Sequence, residues 1–141
     1  MFIVNVEGAI QKDGKWLVIR RSEKEEHAGG MLSLVGGKVD VGEPSNDILE
    51  ITLKREIFEE VGIEIANPQF INSSRFSTGS GTQVINIIFR CEVLEGKAHI
   101  KSPDEVSEIL WLTTEEILND PSAPDYLKGP IRLADKSLSV L

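Results

Sequence analysis

The sequence predicts an α+β fold, with helices packed on a mixed sheet, and three observations lead there. The 141 residues are 40% hydrophobic, enough for one sizeable core and too few for two ordinary domains, so a single domain over residues 1–141 is expected. Stretches rich in Val and Ile lie on both sides of one long helix-like run. Strand-like and helix-like segments then follow one another without regular alternation, which points to α+β.

Taken in order, residues 2–10 and 15–21 are rich in Val and Ile and are joined by QKDGK, whose Asp-Gly step signals a hairpin, so the first two elements are expected to pair antiparallel. RSEKEEHAGGM is charged and then glycine-rich, as in an exposed loop, and LSLV is a short strand. The glycine pair Gly36 and Gly37 is expected in a loop. The spacing then predicts a helix over about Ile48 to Val61, with Asp47 and Glu50 as a capping-box-like pair and Gly62 just past the end. Residues 69–78 and 82–94 read as strands around the turn STGSGT, and KAHI and EILWL as further short strands. Thr113 or Thr114 can cap a short helix near EEIL. NDPSAPDYLKGP reads as turns, and the tail IRLADKSLSVL forms a last helix or lies on the surface.

Charge and composition narrow the function. With 15 Lys+Arg against 23 Asp+Glu the formal charge is −8, which repels a phosphate backbone, so nucleic acid is not an expected partner. The N-terminus has no basic segment before its apolar residues and is not a signal peptide, and no apolar run reaches the length of a membrane span. One cysteine, Cys91, excludes an internal disulfide and sits among apolar strand residues. A cytoplasmic protein with no membrane partner is expected.

The helix carries an electrostatic conflict. At 100° per residue Leu49, Leu53, Ile57 and Val61 share one face, while Glu56 and Glu60 lie at its border with Glu59 beside them. Glu56 and Glu60 are like charges at i,i+4, costing about 0.2–0.5 kcal/mol, and acids in the last turn also oppose the helix dipole. Arg55 offsets part of this. A hard divalent cation taking oxygen ligands would remove the conflict. By itself the run REIFEE is more often a solvated helix face than a metal site, and paired glycines most often simply make turns.

Together the two resemble one signature, the Nudix box: Gly, five residues, Glu, seven residues, then Arg-Glu-apolar-any-Glu-Glu-any-Gly-apolar. Gly37 and Glu43 match its opening, and Arg55, Glu56, Ile57, Glu59, Glu60, Gly62 and Ile63 match its second half. Eleven residues, Pro44 to Lys54, separate Glu43 from Arg55, four more than the pattern; they are expected to bulge the loop around EPSN, which leaves the placing of Glu43 open. Val35 stands where many members have proline. The likeness extends over residues 1 to about 118.

The resemblance implies an α/β/α sandwich around a mixed sheet and an enzyme hydrolysing a nucleoside diphosphate linked to another group. The cofactor it implies is Mg²⁺, or Mn²⁺ in its place, held by Glu56, Glu59, Glu60 and the Gly36 carbonyl. A divalent ion there neutralises the diphosphate and lowers the pKa of water. One of the box glutamates would orient or deprotonate the attacking water, and Arg55 would hold the glutamates in place. Family members often complete the site with a late-loop acid; Asp104, Glu105 and Glu108 are available, and Glu105 is favoured by its distance before Trp111.

For substrate, Arg21 resembles the phosphate-contacting arginine of MutT-type nucleoside triphosphate pyrophosphatases, and Arg20 and Gly37 are further substrate-binding candidates. Phe76, with Trp16 and Phe89, could stack on a base, although most aromatic residues in a chain this size are core. A (d)NTP or an oxidised dNTP, cleaved to the monophosphate and pyrophosphate, is the leading expectation. ADP-ribose or a nucleotide sugar follows, and a non-catalytic nucleotide sensor is the alternative of another class. The chain is expected as a monomer or a homodimer, with INSSRF and INIIFR as candidate edges.

Overall fold

The computed structural model describes residues 1–139. Its elements are β1 (Phe2–Lys12), β2 (Lys15–Arg21), β3 (Leu32–Ser33), β4 (Val35–Lys38), α1 (Ile48–Val61), β5 (Glu64–Ser77), β6 (Gln83–Glu95), β7 (Val106–Leu112), α2 (Thr114–Asn119) and α3 (Asp125–Leu138). All seven strands form one mixed sheet, in the order β3-β2-β1-β6-β5, with β4 on β1 and β7 on β2.

The hairpin signal at Asp13-Gly14 is real but local. β1 and β2 pair only at Gln11–Trp16 and Lys12–Lys15 and then splay, β2 running on antiparallel to β7 and β1 pairing with β4 through Asn5–Gly8. On its other side β1 runs parallel to β6 from Phe2–Gln83 to Gln11–Glu92. β1 is thus the central strand, with β4 and the β2, β3 and β7 group on one side and β6 and β5 on the other.

Alternation along the strands divides the apolar residues between two faces. Val6, Ile10, Leu17, Ile19, Phe89 and Cys91 pack with Leu53, Ile57 and Val61 of α1. Their neighbours Ala9, Trp16, Val18 and Ile88 pack with Ile117 of α2 and Leu127, Ile131 and Ala134 of α3. The result is the expected sheet between two helical layers. No helix among the described residues is long and apolar enough to cross a membrane.

Several expectations are corrected. The glycine pair is not in a loop: Gly36 and Gly37 lie in β4, and LSLV is split between β3 and β4. A Cβ on Gly36 would run into the Val6 carbonyl oxygen, so here glycine permits two strands to approach rather than a turn. Asp47 makes no side-chain cap, because its φ of 52° puts it in the left-handed region. The α1 boundaries nonetheless are Ile48 and Val61, so the residues added between Glu43 and Arg55 lie partly in the loop before the helix. KAHI is irregular rather than a strand, and β5 begins at Glu64, directly after the helix. The stretch read as turns already starts α3 at Asp125, with Pro130 inside the helix; burial of Leu127, Ile131 and Ala134 outweighs the lost backbone bond. The tail is helical to Leu138, while Val140 and Leu141 lie outside the described residues. INIIFR, in β6, is paired on both sides and cannot be a free edge, whereas INSSRF belongs to β5, the last strand of the order.

Candidate active site

The apolar stripe of α1 fixes everything beside it. Leu53, Ile57 and Val61 are fully buried against the sheet, which turns Glu56 and Glu60 toward β4 and the end of β2. Glu60 is itself only 5% exposed, and its Oε2 is buried with no hydrogen-bond partner. Glu56 lies over Gly37, where a Cβ would overlap its carboxyl group. The two glycines therefore serve different contacts: Gly36 lets β4 close onto β1, and Gly37 leaves room for the Glu56 carboxylate.

Glu105 joins them from the opposite side. Carboxylate oxygens of Glu56, Glu60 and Glu105 all lie within 4.8 Å of one another. The segment before β7 is tied down to make this meeting. The His99 and Lys101 N–H groups donate to the carbonyls of Val61 and Glu60, capping the end of α1, and Ser22 N–H donates to the Glu105 carbonyl at 2.9 Å. The residues read as the strand KAHI thus form a strap from the helix end to Glu105.

Crowding three acids has the expected electrostatic consequence. Burial, then Glu105 and Glu56, push the Glu60 carboxyl up to about 9. Burial likewise raises Glu56 to about 7, with Arg55 opposing and Glu59 adding to the shift. A buried, unpartnered oxygen among hard carboxylate donors fits a hard divalent cation such as Mg²⁺ or Mn²⁺, whose charge would hold the acids ionised.

Arg55 lies outside this group and organises it. Its Nε donates to Glu43 Oε1 at 2.7 Å, and its Nη1 donates to Glu56 at 3.1 Å and to Glu59 at 3.2 Å. Asp40 stands 3.6 Å away. Burial works against the guanidinium charge, but the Glu43 hydrogen bond and the charges of Glu56, Glu43 and Glu59 outweigh it and raise its pKa. Despite the added residues, Glu43 reaches Arg55 with a side chain only 6% exposed. Glu59 is placed differently from its two neighbours: its carboxylate is half exposed, bonds Arg55, and is outside the three-acid group.

The substrate-binding candidates separate. Arg20 is engaged in the sheet, its Nε donating to Glu108 at 3.0 Å and its Nη1 to the Gly30 carbonyl. Arg21 Nε donates to the His27 carbonyl, and its charge is felt by Glu60, Glu7 and Tyr126. Phe76 is partly exposed and stacks on His27, ring centroids 5.6 Å apart. Trp16 is core, its indole N–H donating to Thr114, and Phe89 is core as well. Glu7 is a further polar residue near this site, absent from the residues expected there. This acid in the central strand accepts a hydrogen bond from Asn86, and burial raises its pKa against the pull of that bond and of Arg21. Its signal was an acid inside an otherwise apolar strand run.

Comparison with known proteins identifies the family and the fold. The family model described as NUDIX domain matches residues 3–131. The chain is 37% identical over 119 residues to the uncharacterized Nudix hydrolase YfcD of Escherichia coli K12, an alignment covering 82% of this chain and 62% of that protein. It therefore spans under two thirds of that relative's length. It is 23% identical over 118 residues to the nucleoside triphosphatase NudI of Escherichia coli, covering 78% of this chain and 81% of that one. A MutT protein from Methanosarcina mazei Go1 superposes with a TM-score of 0.82 at 28% identity, over 97% of this chain and 95% of that one.

Proposed function

The chain belongs to the NUDIX family, and from that premise we propose that it is a Mg²⁺-dependent pyrophosphohydrolase cleaving the diphosphate of a nucleoside diphosphate derivative. The observation that carries the reading is the meeting of Glu56, Glu60 and Glu105, with an unpartnered buried oxygen on Glu60.

Glu56, Glu60 and Glu105, with the Gly36 carbonyl and with Glu59 at the rim, would hold the ion, which supplies charge neutralisation at the diphosphate and a more acidic water. Arg55 keeps Glu56 and Glu59 fixed in position through a guanidinium already anchored on Glu43. Glu59, half exposed and outside the three-acid group, suits the role of orienting or deprotonating the attacking water. Arg21, within electrostatic reach of Glu60, would meet the phosphate groups of the substrate; Arg20 pairs with Glu108 of the neighbouring strand. Gly37 leaves the backbone open beside Glu56. Phe76 and its His27 partner offer an aromatic face for a base.

A nucleoside triphosphate, ordinary or oxidised, is the substrate class favoured, in keeping with the nucleoside triphosphatase and the MutT protein among its relatives. The test is product analysis after incubation with Mg²⁺ and a panel of dNTPs, oxidised dGTP, ADP-ribose and nucleotide sugars, with Glu60→Gln in parallel. The reading expects Mg²⁺-dependent release of a nucleoside monophosphate, reduced at least 100-fold in the variant, an order-of-magnitude figure for losing a charged group from the reacting centre. No turnover of any compound by a folded, metal-binding protein would favour the nucleotide-sensor alternative.

A further inference from the structure

The sheet face that carries α3 changes character along β1 and β6. Ala9 and Ile88 pack under the helices. Glu7 and Asn5 follow Ala9 on the same face at intervals of two, and Asn86 follows Ile88 in the same way. Asn86 pairs with Asn5 on one side and with Ser74 on the other, and Phe76 stands one step further along β5, opposite Val84. Beyond the edge of α3 the floor is therefore polar, with aromatic rings around it: Phe76 stacked on His27, and half-exposed Tyr126 at the start of α3.

Hydrogen bonds fix the orientation of this floor. Asn5 Nδ2 donates to Asn86 Oδ1 at 2.8 Å, and Asn86 Nδ2 donates to Glu7 Oε1 at 2.8 Å. The chain of donors runs one way, which sets the Asn86 amide and occupies one Glu7 oxygen. Among the described residues no hydrogen bond or ion pair engages the other, Oε2. Glu7 is also tied to the candidate active site, since it pairs with Gly36 across the β1–β4 ladder. Arg21 completes the link, its charge being felt by Glu60 on one side and by Glu7 and Tyr126 on the other. Arg21 is thus the group common to the three acids and the floor, and a nucleotide whose phosphates lay at it would carry its base to this floor.

We propose that Glu7, held by Asn86 and Asn5, reads the base of the nucleotide by accepting a hydrogen bond from an exocyclic amino group on Oε2. The inference rests on the proposed nucleotide site but names its selectivity: bases with an amino group beside a ring nitrogen, which guanine, adenine and cytosine share and uracil and hypoxanthine lack. A site built to accept that N–H discriminates against a base without it: a carbonyl in its place sets two acceptors facing each other, and hypoxanthine, with only hydrogen where guanine has its amino group, leaves Oε2 unpaired in a partly desolvated cleft.

The test is calorimetric binding of nucleoside monophosphates to wild type and to Glu7→Gln, comparing GMP with IMP, AMP with IMP, and CMP with UMP. The change is near-isosteric. Asn86 continues to donate to the side-chain oxygen, so the new amide NH₂ faces the base where an acceptor stood. Wild type is expected to prefer the amino-bearing member of at least one pair by about tenfold or more, and the variant to lose or reverse that preference. Which pair responds identifies the base. Equal binding within every pair by wild type, or a preference that Glu7→Gln leaves unchanged, would overturn the proposal. The readout needs no turnover, so a Glu7-dependent preference without hydrolysis would sink the hydrolase reading and leave this one standing.

Discussion

Gly37 has no room for a methyl group, because the Glu56 carboxyl occupies the place a Cβ would take. Gly37→Ala is expected to displace Glu56, weakening Mg²⁺ binding by an order of magnitude or so while leaving the urea midpoint of the metal-free protein nearly unchanged. Gly36→Ala instead forces β4 from the Val6 carbonyl and should cost about 1–3 kcal/mol in the same unfolding experiment. Equal stability losses at both positions would contradict the division of roles. The acids make a pH prediction. Glu60 and Glu56 sit at about 9 and about 7 in the folded chain against 4.5 as the ordinary value. Between these values the folded state holds protons that the unfolded state has lost, so metal-free stability is greatest below about pH 4.5 on this account and declines as pH rises toward 9. A bound cation needs the ionised acids, so the rise in Tm on adding Mg²⁺ should be larger near pH 8 than near pH 6. A pH-independent increment would contradict it. At this scale the box residues were legible because their types and spacing are specific. Glu7 and the purpose of each glycine were not, since they depend on partners distant in the chain: Asn86 across the β1–β6 ladder for Glu7, Val6 across the β1–β4 ladder for Gly36, and Glu56 on α1 for Gly37.

Among the elements, α1 was readable to its ends because its apolar period and Gly62 agree, and Gly62 is indeed left-handed at φ 73°. A Cβ there would also overlap the His99 ring. Gly62→Ala is therefore expected to destabilise by more than the about 1 kcal/mol of backbone strain alone and to loosen the strap that brings in Glu105, lowering Mg²⁺ affinity as well as Tm. A stability loss with unchanged metal affinity would separate the strap from the site. The strap itself was illegible: KAHI has strand-like residues, but the N–H groups of His99 within it and of Lys101 just after it cap α1, a long-range choice that local propensity does not record. Asp47 misled for the opposite reason, a residue of capping type placed in a backbone conformation that turns its side chain away. Thr113 shows the same signal succeeding, with a reciprocal bond to Glu116; Thr113→Ala should cost about 0.5–2 kcal/mol in urea unfolding, without changing turnover.

Over the whole molecule, the splay of β1 from β2 organises the function. It frees β1 to take β4, with its glycines, on one side and the parallel strand β6 on the other. The box helix and the polar floor thereby share one central strand while facing opposite layers. The α+β class followed from the irregular alternation of strand-like and helix-like segments, but the parallel β1–β6 pairing joins strands some eighty residues apart and leaves no local mark. A chain of net charge −8 can bind a polyanionic nucleotide only if charge is compensated locally, and a cation held by the three acids would do so. The most direct measurement is a calorimetric titration of the chelator-treated protein with Mn²⁺ and Mg²⁺, for wild type, Glu60→Gln and Glu105→Gln. The account predicts saturable binding by wild type and loss of most of the affinity in both variants, each still folded. Saturable binding that both variants retain, or none in wild type, would show that Glu56, Glu60 and Glu105 do not form the metal site.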